Sequence, residues 1–404
     1  MRFSNMGRAA ANVAGVGLRR TQRHWRTAGR ELQRALRKAE RYGELITRAP
    51  ALARVRVARG RAAVERAGNR FARFDDHVLT PYRAECRIKR TLGRAASGQR
   101  PIIVGPWTSE VGYEALYWVP FLHWAVDRYG VSPDRVIAVS RGGTEPWYDG
   151  IAGRYVEIFD LVDPGEFATQ MAARRERGDQ KQGGMSEFDQ HLMRLASQRL
   201  GIRDAAVWHP GLMYQLFRPF WHGDRSLEFL LRHTAFRYGG MTARMPAGPP
   251  LPKEYTAVKF YTGPALPDTG GNRALLRELV QRLAARMPVV MLDTAWSTDE
   301  HRDYAFEDIH GVTTLRPSLD PKTNLGVQTR VIAGARQFVG TCGGLAWLAP
   351  FLGVDTLAVY EDDRYLAAHL YAARYAYRRN RAARFSTLNI KALRGVGTVS
   401  AKAS

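Results

Sequence analysis

Apolar residues recur every seven positions along the first part of the chain, at Leu18, Trp25, Leu32, Ala39 and Ile46, and Ala28, Ala35, Leu36 and Tyr42 widen the stripe. That period predicts an amphipathic helix, with arginines covering its other faces. Pro50 and Gly60 interrupt it, and a second helical piece runs toward Phe74. At Pro101 the pattern changes. Short apolar runs now alternate with helical stretches, as in βαβ units on a parallel sheet. Strands are expected over 101–104, 135–140 and 155–161, with a helix over 111–128 that Pro120 either bends or begins. Residues 163–245 have no clean period. They hold an Arg/Gln/Gly-rich loop over 172–184 and an aromatic cluster from Trp208 to Trp221.

The segment MPAGPPLP at 245–252 is too rich in Pro and Gly for regular structure and reads as a linker. Beyond it a second alternating array predicts strands over 256–261, 288–293, 312–316, 337–340 and 356–360. Helices are expected over 273–285, 322–335, 345–352 and 364–377. The expected fold is α/β: two Rossmann-like domains behind a helical arm. The boundaries are 1–100 for the arm, 101–250 for the first Rossmann-like domain and 251–395 for the second.

Charge separates the arm from the body. The 404-residue chain has a net charge of +23, and residues 1–100 hold 25 basic against 7 acidic side chains, or +18 of it. The basicity therefore says little about catalysis. Three readings of the arm stand together: a helix lying on an anionic membrane through residues 1–80, a solvated helix, and a nucleic-acid-binding arm. The last is least favoured, because no base-reading module accompanies it. Only Cys86 and Cys342 are present, which leaves no disulfide framework and no metal-binding cysteine pair. No run approaches the roughly 20 apolar residues of a membrane-spanning helix. The segment before Arg19-Arg20 makes a poor signal peptide. A cytoplasmic protein, peripheral at the inner face of the membrane, is expected.

The segment Gly340-Thr341-Cys342-Gly343-Gly344 follows an apolar strand end and is expected to open a helix. Glycines there let the backbone approach a ligand, and free N–H groups at a helix start favour a phosphate. A plain tight turn has the same appearance. The loop is neither a GxGxxG fingerprint nor a Walker P-loop. Lys259, late in the first strand of the second array, is costly to bury unless it meets an anion or extends out to solvent.

The run RVIAGARQFVGTCGGLAWLAPFLGVDTLAVY at 330–360 resembles the donor half of GT-B glycosyltransferases, closest to heptosyltransferase-like and related bacterial polysaccharide-synthesis enzymes. The resemblance covers about thirty residues closely and the rest of 251–380 only by topology. Those sequences often carry Asp-Thr-Gly where this chain has Thr341-Cys342-Gly343, so only the backbone contacts carry over. The resemblance implies a nucleotide-sugar donor held by Gly340, Thr341, Gly343, Gly344 and Lys259. Glu361, just past the strand 356–360, is placed for the ribose hydroxyls or is a solvated loop acid.

In the first half, VGPWTSEVGYEALYWVPFLHWA at 104–125 is similar to a block found in bacterial polysaccharide-synthesis proteins. Its strand-to-helix loop is where inverting GT-B enzymes often present a carboxylate to the acceptor hydroxyl. Glu110 fits that place better than Glu114, one turn further in. Either could instead be an acid stabilised by the helix dipole. His209 is a second candidate base. Trp107, Ser109 and Arg218 are candidate acceptor contacts, while packing is expected of Trp118.

No HExxH, other His/Cys cluster or nucleophile elbow is present, and Asp362-Asp363 is not a metal-binding Asp-x-Asp. No cofactor and no metal are expected. The combined expectation is an inverting, metal-independent glycosyltransferase of GT-B type acting on a glycan or lipid-linked acceptor, with closure about 245–253. Two alternatives share the architecture: a nucleotide-sugar epimerase, and a non-catalytic, membrane-recruited nucleotide-binding protein.

Overall fold

A computed structural model describes residues 79–178, 181–238, 248–294, 301–379 and 383–393, with isolated positions between 30 and 65. The seven-residue stripe through Leu18, Trp25, Leu32, Ala39 and Ile46 lies outside the described residues, as does part of the expected hinge. The chain divides into two compact units, 1–84 and 85–404. Both sheets belong to the second unit.

The first sheet contains β1 (Ile102–Val104), β2 (Val136–Ser140), β3 (Arg154–Glu157) and β4 (Ala206–Trp208), in the order β3-β2-β1-β4. Every pairing is parallel. The second contains β5 (Thr256–Lys259), β6 (Val289–Met291), β7 (Val312–Thr314), β8 (Gln337–Thr341), β9 (Thr356–Tyr360) and β10 (Phe385–Asn389). Its order is β10-β9-β8-β5-β6-β7, again all parallel. Numbered from its own first strand and read from the other edge, the second sheet runs 3-2-1-4-5-6, and the first runs 3-2-1-4. That is Rossmann order, with the reversal at β1/β4 and at β5/β8. The central strands are mostly apolar and buried, as sheets covered on both faces require, with polar residues only at their ends.

Helix α1 (Thr80–Ser97) turns Ile88, Leu92 and Ala95 into the core at helical spacing. After β1 the chain enters α2, which runs Val111–Tyr113, a π turn Glu114–Trp118, then Val119–Tyr129. The wider turn falls directly before Pro120, which has no N–H to continue the i→i−4 ladder. Gly130 closes the helix with φ +62°.

Several expectations need correction. The strand expected over 155–161 ends at Glu157, and a 3₁₀ turn covers Ile158–Asp160. There the Glu157 carboxylate accepts the Phe159 N–H at 3.2 Å and turns the chain. Within the segment without a clear period, α3 (Pro164–Glu176) is capped by Asp163, and α4 (Glu187–Arg199) starts with a Ser186/Asp189 capping box. The aromatic cluster is α5 (Pro210–Trp221). The helix expected over 345–352 is instead two 3₁₀ turns, Gly344–Ala346 and Ala349–Leu352, because Pro350 interrupts the donors and Gly343 and Gly344 take positive φ. The remaining helices named below are α6 (Gly270–Ala284), α7 (Asn324–Gly334) and α8 (Ala367–Arg379).

The two sheets are held together by specific bonds. Gly326 N–H donates to Gly142 O at 2.8 Å, Trp147 Nε1 to Thr329 Oγ1 at 3.2 Å, and Lys322 pairs with Asp160 at 2.9 Å. Gly112 of α2 lies flush on Gly344, where a Cβ would stand 3.0 Å from the Gly344 nitrogen.

Candidate functional site

The carboxyl ends of both sheets open on one cleft of about 520 Å³. Glu110 and Gly112 reach it from the loop after β1, and Arg141 from the end of β2. Lys259 comes from the end of β5 and Tyr261 from just beyond it, Arg316 from just past β7, and Gly344 from the loop after β8. Ligands of open α/β sheets bind outside the carboxyl ends of the strands, at the reversal of strand order. Here two such sites face each other.

The fold is α/β, with two Rossmann-like sheets.

Within this cleft the cations come from both halves. Lys259 Nζ donates to Leu292 O and to the Asp303 carboxylate, each at 2.8 Å, which uses two of its three protons. Its ammonium is thus fixed at the strand end. Arg316 pairs with buried Asp293 at 2.8 Å, and Thr314 Oγ1 donates to the same carboxylate. Arg141 is almost fully buried, and its Nη2 donates to Ser109 O at 2.7 Å. That bond ties the end of β2 to the loop that carries Glu110.

Glu110 occupies the N-cap position of α2 with extended backbone angles, yet its side chain does not cap the helix. It is half-buried and lines the cleft. Nearby, Lys181 Nζ donates to Tyr113 Oη at 2.6 Å and stands 4.6 Å over the Tyr113 ring. Burial lowers the Lys181 pKa, and the charge of Glu110 opposes that shift.

Glu114 has no access to the cleft. Its side chain is fully buried, and one oxygen accepts from Ser140 Oγ and Tyr148 Oη, each at 2.7 Å. Burial raises its pKa from 4.5 to about 7, against the pull of Arg141. A raised carboxyl pKa means that the folded state binds more protons than the unfolded chain between those values. Stability therefore falls as pH rises from 4.5 toward 7, by about 3 kcal/mol, and levels above. Glu114→Gln keeps the accepting oxygen and cannot ionise. Urea unfolding should find it more stable than the parent at pH 8 and close to it at pH 4.5. Equal stability at pH 8 would show that Glu114 carries no such cost.

The glycine loop is built differently from a phosphate cradle. Gly340 lies inside β8, where a Cβ would meet Lys259 O at 2.6 Å. Thr341 is buried, accepts the Tyr261 N–H at 2.9 Å and donates to Tyr261 O at 3.0 Å, stitching β8 to the end of β5. Cys342 is buried, and burial pushes its thiol up to about 12, so it is inert. Gly343 (φ +141°) and Gly344 (φ +44°) pass close to the Tyr261 hydroxyl. Of these residues Gly344 lines the cleft. No long helix begins here, so no helix dipole draws a phosphate to this loop.

The remaining candidates lie away from the cleft lining. His209 is buried and caps α5: its Nδ1 accepts the Gly211 N–H at 3.0 Å, and its Nε2 faces Asp189 at 3.3 Å. Trp107 is fully buried between the rings of Trp118 and Tyr214, so it presents no face to a sugar. Ser109 is buried and hydrogen-bonded to Tyr214 Oη at 2.8 Å. Arg218 is exposed on α5. Glu361 accepts from Asn272 Nδ2 at 2.6 Å and so braces the first turn of α6.

Sequence reasoning missed Arg141, Asp303, Arg316 and the pair Asn324/Gln328. Arg141 and Arg316 stand just past the ends of β2 and β7, where the strand-end rule already points. Asn324 and Gln328 share one face of α7 at i, i+4 spacing and meet the cleft together. Asp303 gave no signal, since only the fold brings it to Lys259. Among the described residues no cluster of metal-binding side chains occurs and no helix is long and apolar enough to cross a membrane.

The chain matches no protein-family model and no curated protein. Among solved structures it is similar to ADP-heptose lipopolysaccharide heptosyltransferase II of E. coli, at 13% identity and a TM-score of 0.38, over 72% of this chain and 90% of that one. It is also similar to E. coli heptosyltransferase WaaC with ADP, at 17% identity and a TM-score of 0.36, over 67% and 90% of the two chains. A third is UDP-GlcNAc 2-epimerase from Methanocaldococcus jannaschii, at 8% identity and a TM-score of 0.31, over 69% and 91%.

Proposed function

We propose that this chain transfers a sugar from a nucleotide-sugar to a glycan or lipid-linked acceptor, by direct, inverting displacement without a metal. The carrying observation is the cleft itself. A carboxylate from the loop after β1, Glu110, and fixed cations at the strand ends of the second sheet, Lys259 and Arg316, line one space of about 520 Å³. In this reading 101–250 is the acceptor domain and 251–395 the donor domain. Glu110 takes the proton of the acceptor hydroxyl as its oxygen attacks the anomeric carbon. The bond from that carbon to the diphosphate breaks, and Lys259 and Arg316 hold the charge that develops on the leaving group. Gly344 lets the backbone come close to the donor.

Thermal unfolding with a panel of nucleoside diphosphates tests the reading. A ligand at 100 times its Kd stabilises the fold by about 2.7 kcal/mol. At least one diphosphate should do so, and Lys259→Ala should weaken the effect at least tenfold in affinity. A panel without any response would remove the donor site. A sugar that changes configuration at C2 without an acceptor would replace transfer by epimerisation.

The same proposal gives residues 1–80 an adhesive role on anionic membrane, and places the protein at the inner face. Each Lys or Arg near such a surface contributes about 1 kcal/mol. Deleting residues 1–80 should remove most sedimentation with anionic liposomes at low salt and spare nucleotide binding. Unchanged sedimentation would return the arm to a solvated helix.

A further inference from the structure

The last helix has two unlike faces. Inward, α8 buries Leu370, Ala373, Ala376 and Tyr377, and His369 Nδ1 lies 2.6 Å from Tyr117 Oη of α2. Outward it presents Tyr371, 61% exposed, and Tyr375, 41% exposed, one turn apart. Tyr365, 67% exposed, stands just before it. Arg374, Arg378 and Arg379 are exposed among these rings, and Arg374 Nη2 donates to Thr387 Oγ1 at 3.0 Å. Leu393, just beyond β10, is 43% exposed.

Two observations make this a surface for a partner. Six large apolar side chains are exposed among the described residues, and four of them (Tyr365, Tyr371, Tyr375 and Leu393) fall on this last stretch of chain. Single exposed apolar residues need no explanation, but a concentration does. The charge of the helix is also one-signed: Ala367–Arg379 holds Arg374, Arg378 and Arg379 and no Asp/Glu, whereas Arg364 and Arg384 beside it are paired with Asp362 and Asp355.

We propose that the Tyr/Arg face of α8 docks on an anionic lipid bilayer. Tyrosine rings suit headgroup depth, apolar in the body and polar at the tip, and arginines beside them pair with lipid phosphates. A helix of thirteen residues offers a straight edge about 20 Å long, which fits a flat partner. Because His369 on the inward face touches α2, one element links the bilayer to the helix that begins at Glu110. The proposal does not rest on sugar transfer, and it concerns residues other than those of the N-terminal arm.

The test uses the full chain with Cys86→Ser, since Cys342 is buried, and a fluorescent NBD label on Tyr371→Cys. With vesicles of phosphatidylcholine and phosphatidylserine the emission should rise and shift to the blue, and pure phosphatidylcholine should leave it unchanged. Arg378→Glu with Arg379→Glu should abolish the shift even where the arm still carries the protein to the pellet. A label at Arg282→Cys on α6 should stay silent. An unshifted Tyr371 label on protein that sediments with the vesicles would overturn the proposal. So would a response at both labels alike, or one evoked by duplex RNA and not by lipid.

Discussion

Glu110→Gln is expected to slow sugar transfer on the order of 10²–10⁴-fold and to leave nucleotide affinity unchanged. Glutamine keeps the size and one accepting oxygen of the carboxylate but cannot take the acceptor proton. Glu110 does not cap α2 and glutamine keeps its size, so the change should cost little stability. Its rival for the role behaves oppositely. His209→Ala removes the acceptor for the Gly211 N–H and the partner of Asp189. It should cost about 1 kcal/mol of stability, in line with other lost caps, and keep the turnover of the folded fraction. Near-normal transfer by Glu110→Gln, with transfer lost in His209→Ala, would exchange the two assignments.

Gly343→Val should abolish nucleotide binding. The residue holds φ +141° and ψ −169°, a region essentially reserved for glycine, and a β-branched side chain meets it badly. Its Cβ would also lie 2.5 Å from the Tyr261 hydroxyl. Tyr261 lines the cleft beside Lys259, so relief of that clash moves a wall of the site. Strain of this kind costs roughly 1–3 kcal/mol, which a domain of this size tolerates. Folded protein with parental nucleotide affinity would show that the loop after β8 does not shape the donor site.

Most of the sheet framework was legible in the sequence because parallel strands buried on both faces are continuous apolar runs. The runs at 136–140 and 356–360 are that signal, and β9 has the expected bounds. β4 and β10 were not legible: Ala206–Trp208 is too short to establish a period, and Phe385–Asn389 alternates weakly. Proline position decided two other failures, the π turn before Pro120 and the broken helix around Pro350. Lys259, a charge at a strand end, and Glu110, an acid where the loop after β1 enters α2, both line the cleft, as their places in the sequence suggested. Trp107 and His209 misled for a related reason. Aromatic and imidazole rings near a strand end suit a cleft or a core equally, and here the core holds both. The Lys259–Asp303 pair, 44 positions apart in sequence, could be found only after folding.

The central claim is that the cleft between the strand ends holds the diphosphate of a nucleotide-sugar. A crystal structure with the nucleoside diphosphate that stabilises the protein most would test it directly. The account predicts the diphosphate within hydrogen-bonding distance of Lys259 Nζ, beside Gly344 and facing Glu110. A nucleotide bound elsewhere, with Lys259 still held only by Leu292 and Asp303, would contradict it.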